Sequence, residues 1–208
     1  MICLRHLGCL CLPALAGAAL AWAQSTAVAQ PAAEAPAGEA SAAKTASLTL
    51  ADGALTVDAP TAWKQVKPRN RIIEMELAIP GETADATGGR LTVMAAGGSI
   101  QANIARWAGQ FRSGADGKPK TETTTESLGG MKLTLFDGAG TYLDSPRGPF
   151  GPKVEKADYR MVAAILETSG SGNYFFKLVG PKSVIDGHAD AFRQMIRSVE
   201  KSVAGATQ

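Results

Sequence analysis

Few side chains in this sequence can make or break bonds. Its 208 residues include three cysteines and two histidines. Cys3, Cys9, Cys11 and His6 crowd the extreme N-terminus, so His188 is the one imidazole beyond it. A serine hydrolase needs a nucleophile, a base within hydrogen-bond reach and a third group that orients the base. No Gly-x-Ser-x-Gly turn occurs, and His188 lies four residues before Phe192, on or beside an apolar helical stripe. That placement makes it a packing or surface residue. Zinc needs clustered His, Cys or carboxylates, and calcium needs several converging oxygens. The sequence has neither pattern, so no catalytic residue, metal site or cofactor is expected. Glu74 and Glu76 alternate on one face of a predicted strand and would be paired carboxylates in a catalytic reading; two acids on a solvated face is the simpler one. The pairs Gly88-Gly89, Gly97-Gly98 and Gly129-Gly130 lack phosphate-loop spacing. Gly97-Gly98-Ser99 leads into a helix N-terminus, where free N–H groups attract anions, but turn and cap duty accounts for it.

Recognition chemistry collects in one segment instead. Asp144 to Asp158 reads as a long break containing Pro146, Pro149 and Pro152. Stiff prolines there present Arg147, Phe150 and Lys153, an aromatic anchor with two cations, as a candidate binding spot. Arg106, on the first predicted helix, is the fourth candidate.

The elements that must position these residues begin after a leader. Arg5 and His6 precede an apolar run from Leu7 to Ala23, which closes in the small-x-small pattern Ala21-Trp22-Ala23 before Gln24. This is the layout of a secretory signal over 1–23, with Ala27-Val28-Ala29 as a second candidate cut. The run is short and interrupted by Pro13 for a lasting membrane span, so a soluble secreted or periplasmic protein is expected after cleavage; retention as an anchor is the alternative. Residues 24–47 are rich in Ala with Pro31 and Pro36 and have little to bury, as in a flexible linker. One domain is expected over 48–203, and 204–208 form a tail.

Within it, Leu48, Leu50, Leu55 and Val57 alternate around Asp52-Gly53, a hairpin signature. Ile73, Met75, Leu77 and Ile79 form one face of a strand, and Leu91, Val93 and Ala95 another. Ser99 caps a helix whose Ile100, Ile104, Trp107 and Phe111 share one face, with Gly114 suited to its end. Thr121–Ser127, then Met131, Leu133 and Leu135 beyond Gly129-Gly130, and Thr141–Leu143 read as strands. Tyr159–Glu167 is apolar on both faces, as in a strand covered on both sides. Tyr174–Val179 returns beside it, and a last helix buries Ile185, Phe192, Met195, Ile196 and Val199. The order and short turns predict an α+β domain, an antiparallel β-sheet with both amphipathic helices packed on one face.

This order of elements resembles the PsbP-like fold. Trp63 with Asn70-Arg71, the stretch Asn103-Ile104-Ala105-Arg106-Trp107-Ala108-Gly109-Gln110-Phe111, and Tyr174-Phe175-Phe176-Lys177-Leu178-Val179-Gly180-Pro181 are also similar to a family of uncharacterised secreted bacterial proteins. The resemblance implies an antiparallel sheet flanked by helices, and carries no activity or photosynthetic role.

Lys and Arg total 21 against 19 Asp and Glu, a net charge of +2 that argues against nucleic-acid binding driven by charge. An apolar fraction of 45% excludes a disordered chain. The expected function is that of an exported noncatalytic binding or protein-interaction domain with a protein or cell-envelope partner. An exported hydrolase-type enzyme and a carrier of a small apolar ligand are the alternatives.

Overall fold

The computed structural model describes residues 44–112, 119–146, 151–168 and 172–201. Arg147 and Phe150 lie outside the described residues, as do the leader, most of the linker, Gly114 and the C-terminal tail.

The chain opens with a hairpin of β1 (Thr45–Leu50) and β2 (Leu55–Pro60). Their ladder starts at Thr45↔Pro60, upstream of Leu48. Ala51, Asp52 and Gly53 all take positive φ at the corner, the conformation that Asp-Gly tolerates. A short β10 (Glu200–Lys201) adds to β2 and completes a three-stranded antiparallel sheet.

The main sheet has seven antiparallel strands. They are β3 (Lys64–Val66), β4 (Met75–Ile79), β5 (Gly89–Ala96), β6 (Thr121–Leu128), β7 (Met131–Asp144), β8 (Val154–Thr168) and β9 (Gly172–Pro181). Their spatial order is β3-β4-β5-β9-β8-β7-β6. Helix α1 (Ile100–Ala108) follows β5, and α2 (Lys182–Arg197) follows β9. The α+β class is as expected from the alternation of strand and helix periods.

Three local expectations are corrected. First, the helices pack on opposite faces of the sheet, not on one. Successive residues of a strand point to opposite sides, and β8 is apolar at both sets, with Met161 through Leu166 all buried. Val162, Ala164 and Leu166 join Phe176, Leu178 and the α2 side chains Ile185, Phe192, Met195 and Ile196. Met161, Ala163 and Ile165 join Phe175, Phe136 and Trp107 of α1. A strand buried on both sides needs a cover on each. Second, the break expected from Asp144 does not extend to Asp158, because β8 starts at Val154, and Val154, Glu155 and Lys156 pair with β7. Third, Glu74 and Glu76 do not share a face. The strand starts at Met75, and Glu74, exposed just before it, accepts the Ala51 N–H at 2.6 Å at the corner of the β1–β2 hairpin. Glu76 is 3% exposed, on the α1 side.

Two devices shape the α1 side of the sheet. Helix α1 is capped by Ser99, whose hydroxyl accepts the Ala102 N–H at 3.1 Å, and it stops at Gly109 after only 9 residues. The chain beyond it then clamps to β7. The Leu143 N–H donates to the Gln110 carbonyl at 2.7 Å, and the Arg112 N–H to the Thr141 carbonyl at 2.9 Å. On β7, Gly138 leaves room for the Phe111 ring, which would come within 2.9 Å of a Cβ there. Gly140, at φ +136°, forms the bulge that re-aims Tyr142.

Candidate functional site

A cleft of about 400 Å³ opens on the α1 side of the main sheet, over the part that the short helix leaves uncovered. Its floor is the backbone and side chains of β5 and β9, with Thr92 opposite Lys177, Met94 opposite Phe175 and Arg90 opposite Val179. One wall is α1 with Trp107 and Arg106, and the other is Tyr142 and Asp144 of β7 with Lys156 and Tyr159 of β8. Arg69 and Asn70, from the connection between β3 and β4, close one end.

The aromatic wall is built in layers. Tyr142 stacks on Tyr159 with ring centroids 6.1 Å apart and planes at 8°, and Phe111 backs Tyr142 at 5.6 Å. Trp107 meets Phe175 edge-on at 5.9 Å and Phe136 at 5.8 Å. Such pairs add specific geometry to plain burial. They hold the wall rigid beside the open floor.

Five cationic side chains and one carboxylate, Asp144, line the cleft. They divide by how they are satisfied. Arg90 clasps Glu76 with two contacts, at 2.6 and 3.1 Å. Arg69 adds its backbone N–H at 3.1 Å and its guanidinium at 3.5 Å to the same carboxylate. Burial pushes the Glu76 carboxyl up, but the Arg90 hydrogen bonds, the Arg69 N–H and both positive charges outweigh it, so its pKa lies below the usual value. Lys156 pairs with Asp144 at 2.8 Å and rides over the Tyr159 ring at 5.3 Å. That hydrogen bond holds the Lys156 pKa above its ordinary value.

Lys177 and Arg106 differ. The Lys177 ammonium donates to Gln110 Oε1 at 2.7 Å and to the Tyr142 hydroxyl at 3.1 Å, both neutral. It also stands 5.4 Å from the centre of the Tyr142 ring. Among the described residues no carboxylate pairs with it. Burial, reinforced by the charges of Arg106 and Arg90 and opposed by Asp144, lowers its pKa to about 7. Arg106 donates to Asn103 Oδ1 at 2.7 Å, again a neutral partner, and is otherwise exposed at the cleft mouth. Tyr142 is buried, and burial together with Asp144 pushes its hydroxyl up to about 12, so it stays protonated at neutral pH.

Of the sequence candidates, Arg106 reaches the cleft and Lys153 does not. Lys153 borders a separate shallow depression with Phe111, Arg112, Leu143 and Glu155. His188 is not near the cleft. It accepts the Trp63 indole N–H on Nδ1 at 3.3 Å beneath an edge-on ring contact of 5.9 Å, and burial lowers its pKa, with a backbone contact to Pro80 opposing. Arg90, Tyr142, Lys156 and Lys177 were missed as site residues. For Lys177 a signal existed: a lone cation inside Tyr174–Val179, a strand apolar on both faces, is out of place unless something receives it. For the other three there was none, since their grouping depends on strand order.

The cleft offers charge and shape. Among the described residues its lining holds no Ser, Cys or His. It can attract an anion, place an apolar body on Met94, Val179 and Phe175, and hold both out of bulk water.

No family model matches the chain, and no curated protein matches it. Solved structures that are similar to it include PsbP of the cyanobacterium Synechocystis sp. PCC 6803, with a TM-score of 0.48 and 11% identity over 79% of this chain and 96% of that one. The Ran-binding protein Mog1p of Saccharomyces cerevisiae is similar with a TM-score of 0.43 and 8% identity, covering 76% of this chain and 96% of that one. A protein of unknown function from Pseudomonas aeruginosa follows with a TM-score of 0.39 and 12% identity over 74% of this chain and 94% of that one. The likeness is one of fold, the antiparallel sheet flanked by helices, and it brings neither a partner nor an activity to this chain.

Proposed function

We propose that this is an exported, noncatalytic binding domain that captures an acidic group of a ligand or partner in the α1-side cleft. One observation carries the reading: Lys177 and Arg106 line an open cleft with only neutral hydrogen-bond partners among the described residues. Elsewhere on this sheet, charges of this kind are matched by carboxylates, as in Arg160 with Asp137 at 2.6 Å and with Asp186 at 2.8 Å. A half-buried cation without a counterion is costly, and an arriving anion supplies what the protein leaves out.

Export rests on the leader at 1–23, and among the described residues no helix is long and apolar enough to cross a membrane. Lys153, with Arg147 and Phe150, remains a candidate second contact, because the segment bearing them leaves β7 at Asp144, which lines the cleft.

The test is an NMR titration of the full mature chain with acetate, inorganic phosphate and a short poly-glutamate peptide. Shifts at Lys177, Arg106 and the Trp107 indole that saturate with at least one of these support capture in the cleft. No saturable shift there with any of the three sinks the proposal.

A further inference from the structure

The charge pattern inside the cleft says more than that an anion binds. Arg90 and Arg69 already share Glu76, and Lys156 already holds Asp144. Arg90 and Arg69 bring two positive charges to one carboxylate, so the cleft keeps an excess there too, but Lys177 and Arg106, at the α1 side, are the lining cations with no carboxylate partner among the described residues. That side is also the C-terminal end of α1, with Arg106 in its last turn. The helix dipole there favours cations and opposes dense negative charge. Asp144 faces the same space from β7. A dianion such as phosphate would meet both repulsions with twice the charge of a carboxylate, which needs only Lys177 and Arg106 as direct partners. Beside the polar Asn70, Thr87 and Thr92, the lining has an apolar and aromatic part: Met94, Val179, Phe175, Trp107, Tyr142 and Tyr159. A volume of about 400 Å³ fits a small organic molecule.

Resting on the anion-capture reading, we infer that the ligand is a small monocarboxylic acid with a flat apolar body, its one acid group seated against Lys177 and Arg106 and its body lying between the Tyr142 wall and the β5–β9 floor. This deepens the reading from an acidic group to a single-headed amphiphilic acid. Binding is then linked to protons. The charged and titratable groups facing Lys177 are Arg90 and, through it, Glu76 from β5 and β4, Arg106 from α1, Tyr142 and Asp144 from β7, Lys156 and Tyr159 from β8, and Arg69 from the β3–β4 connection. Tyr142 keeps its proton at neutral pH and Lys156 its charge, so Lys177 is the group whose charge changes between pH 6 and 9. Its ammonium form holds the carboxylate, so affinity falls as pH rises through that range.

The experiment is calorimetric titration of the full mature chain with 2-naphthoate, its neutral analogue 2-naphthamide and inorganic phosphate, at pH 6 and pH 9. The expected result is that naphthoate binds at least tenfold more tightly than either comparator at pH 6 and weakens at least tenfold by pH 9. Lys177→Met should lose naphthoate binding and its pH dependence, and Arg106→Gln, an exposed site that leaves the fold intact, should weaken binding several-fold. Phosphate binding in the cleft as tightly as naphthoate would overturn the single-headed acid while leaving anion capture standing. Equal binding of naphthamide and naphthoate, or no change between the two pH values, would also overturn it. The absence of binding by every probe would bring down both readings.

Discussion

On one side of the seven-stranded sheet, α2 runs for 16 residues; on the other, α1 runs for 9. At 1.5 Å per residue these are about 24 and 14 Å of cover, against a sheet whose seven strands, about 4.8 Å apart, span some 30 Å. The longer helix, with the β1–β2 hairpin, seals its face around Phe176, Phe192 and Ile196, all fully buried. Charges at that helix are matched: Arg160 bridges Asp137 and Asp186, and Arg193 reaches Asp137 at 3.3 Å and Asp190 at 3.0 Å. The shorter helix seals a smaller core around Trp107, Phe136 and Ile165, and the uncovered remainder is the cleft with its unmatched Lys177. The same strands therefore serve both faces. What separates a closed core from an open cleft is how far each helix extends before its cap.

Three perturbations probe that division, beginning with the largest. Phe192→Ala removes a fully buried ring from the α2 face and should cost about 3–5 kcal/mol of stability. Denaturant unfolding should show the loss, while naphthoate affinity of the still-folded fraction stays unchanged; a parallel loss of affinity would mean that the faces are not separable. Glu76→Gln acts on the cleft side. It leaves Arg90 and Arg69 without their shared counterion, and because both are partly exposed the cost should be about 2 kcal/mol, below that of a fully buried pair. The freed positive charge should also tighten anion binding. Lower affinity for anions in this variant would contradict a cleft governed by net cationic charge.

The smallest effect belongs to His188. Its pKa in the folded protein lies below the usual 6.5, because burial disfavours the imidazolium and Nδ1 must stay unprotonated to accept from Trp63. The unfolded chain then takes up the proton first as pH falls below 6.5, so the stability is present above that value and is lost on acidification through the folded pKa. His188→Leu should flatten this part of the curve of melting temperature against pH and cost about 1 kcal/mol for the lost hydrogen bond. Cleft binding at pH 7 should not move.

Much of the fold was legible because its signals are local. The alternation at Ile73–Ile79, the apolar run at Met161–Leu166, the Ser99 cap and the Asp52-Gly53 corner each act within a few residues of themselves. Errors arose where a local pattern was given a tertiary partner. Two apolar helix stripes do not say which side of a sheet each one covers. The double-sided burial of β8 did contain that answer, since one face cannot take both. Proline-rich sequence from Asp144 to Asp158 hid a strand because Val154 to Lys156 is held by pairing with β7 rather than by its own propensity.

The site was less legible than the fold. Only Arg106 stood out among the cleft residues, and the cations of the 145–153 segment masked the stronger anomaly, a lysine within the apolar strand at Lys177. Residues 69, 90, 106, 142, 156 and 177 come from separate elements and meet only once β5, β9, β8 and β7 lie side by side.

By itself the sequence determined the α+β class and the strand and helix periods, because both are set by residue type and near-neighbour spacing. Tertiary structure alone decided which face of the sheet each helix covers, that Glu76 is buried under two arginines while Glu74 is not, and that Lys177 faces a cleft without a carboxylate partner among the described residues. Those outcomes depend on strand order and on the length of the covering helices, and a side chain's charge is satisfied or left open by what packs over it, which spacing along the chain does not specify.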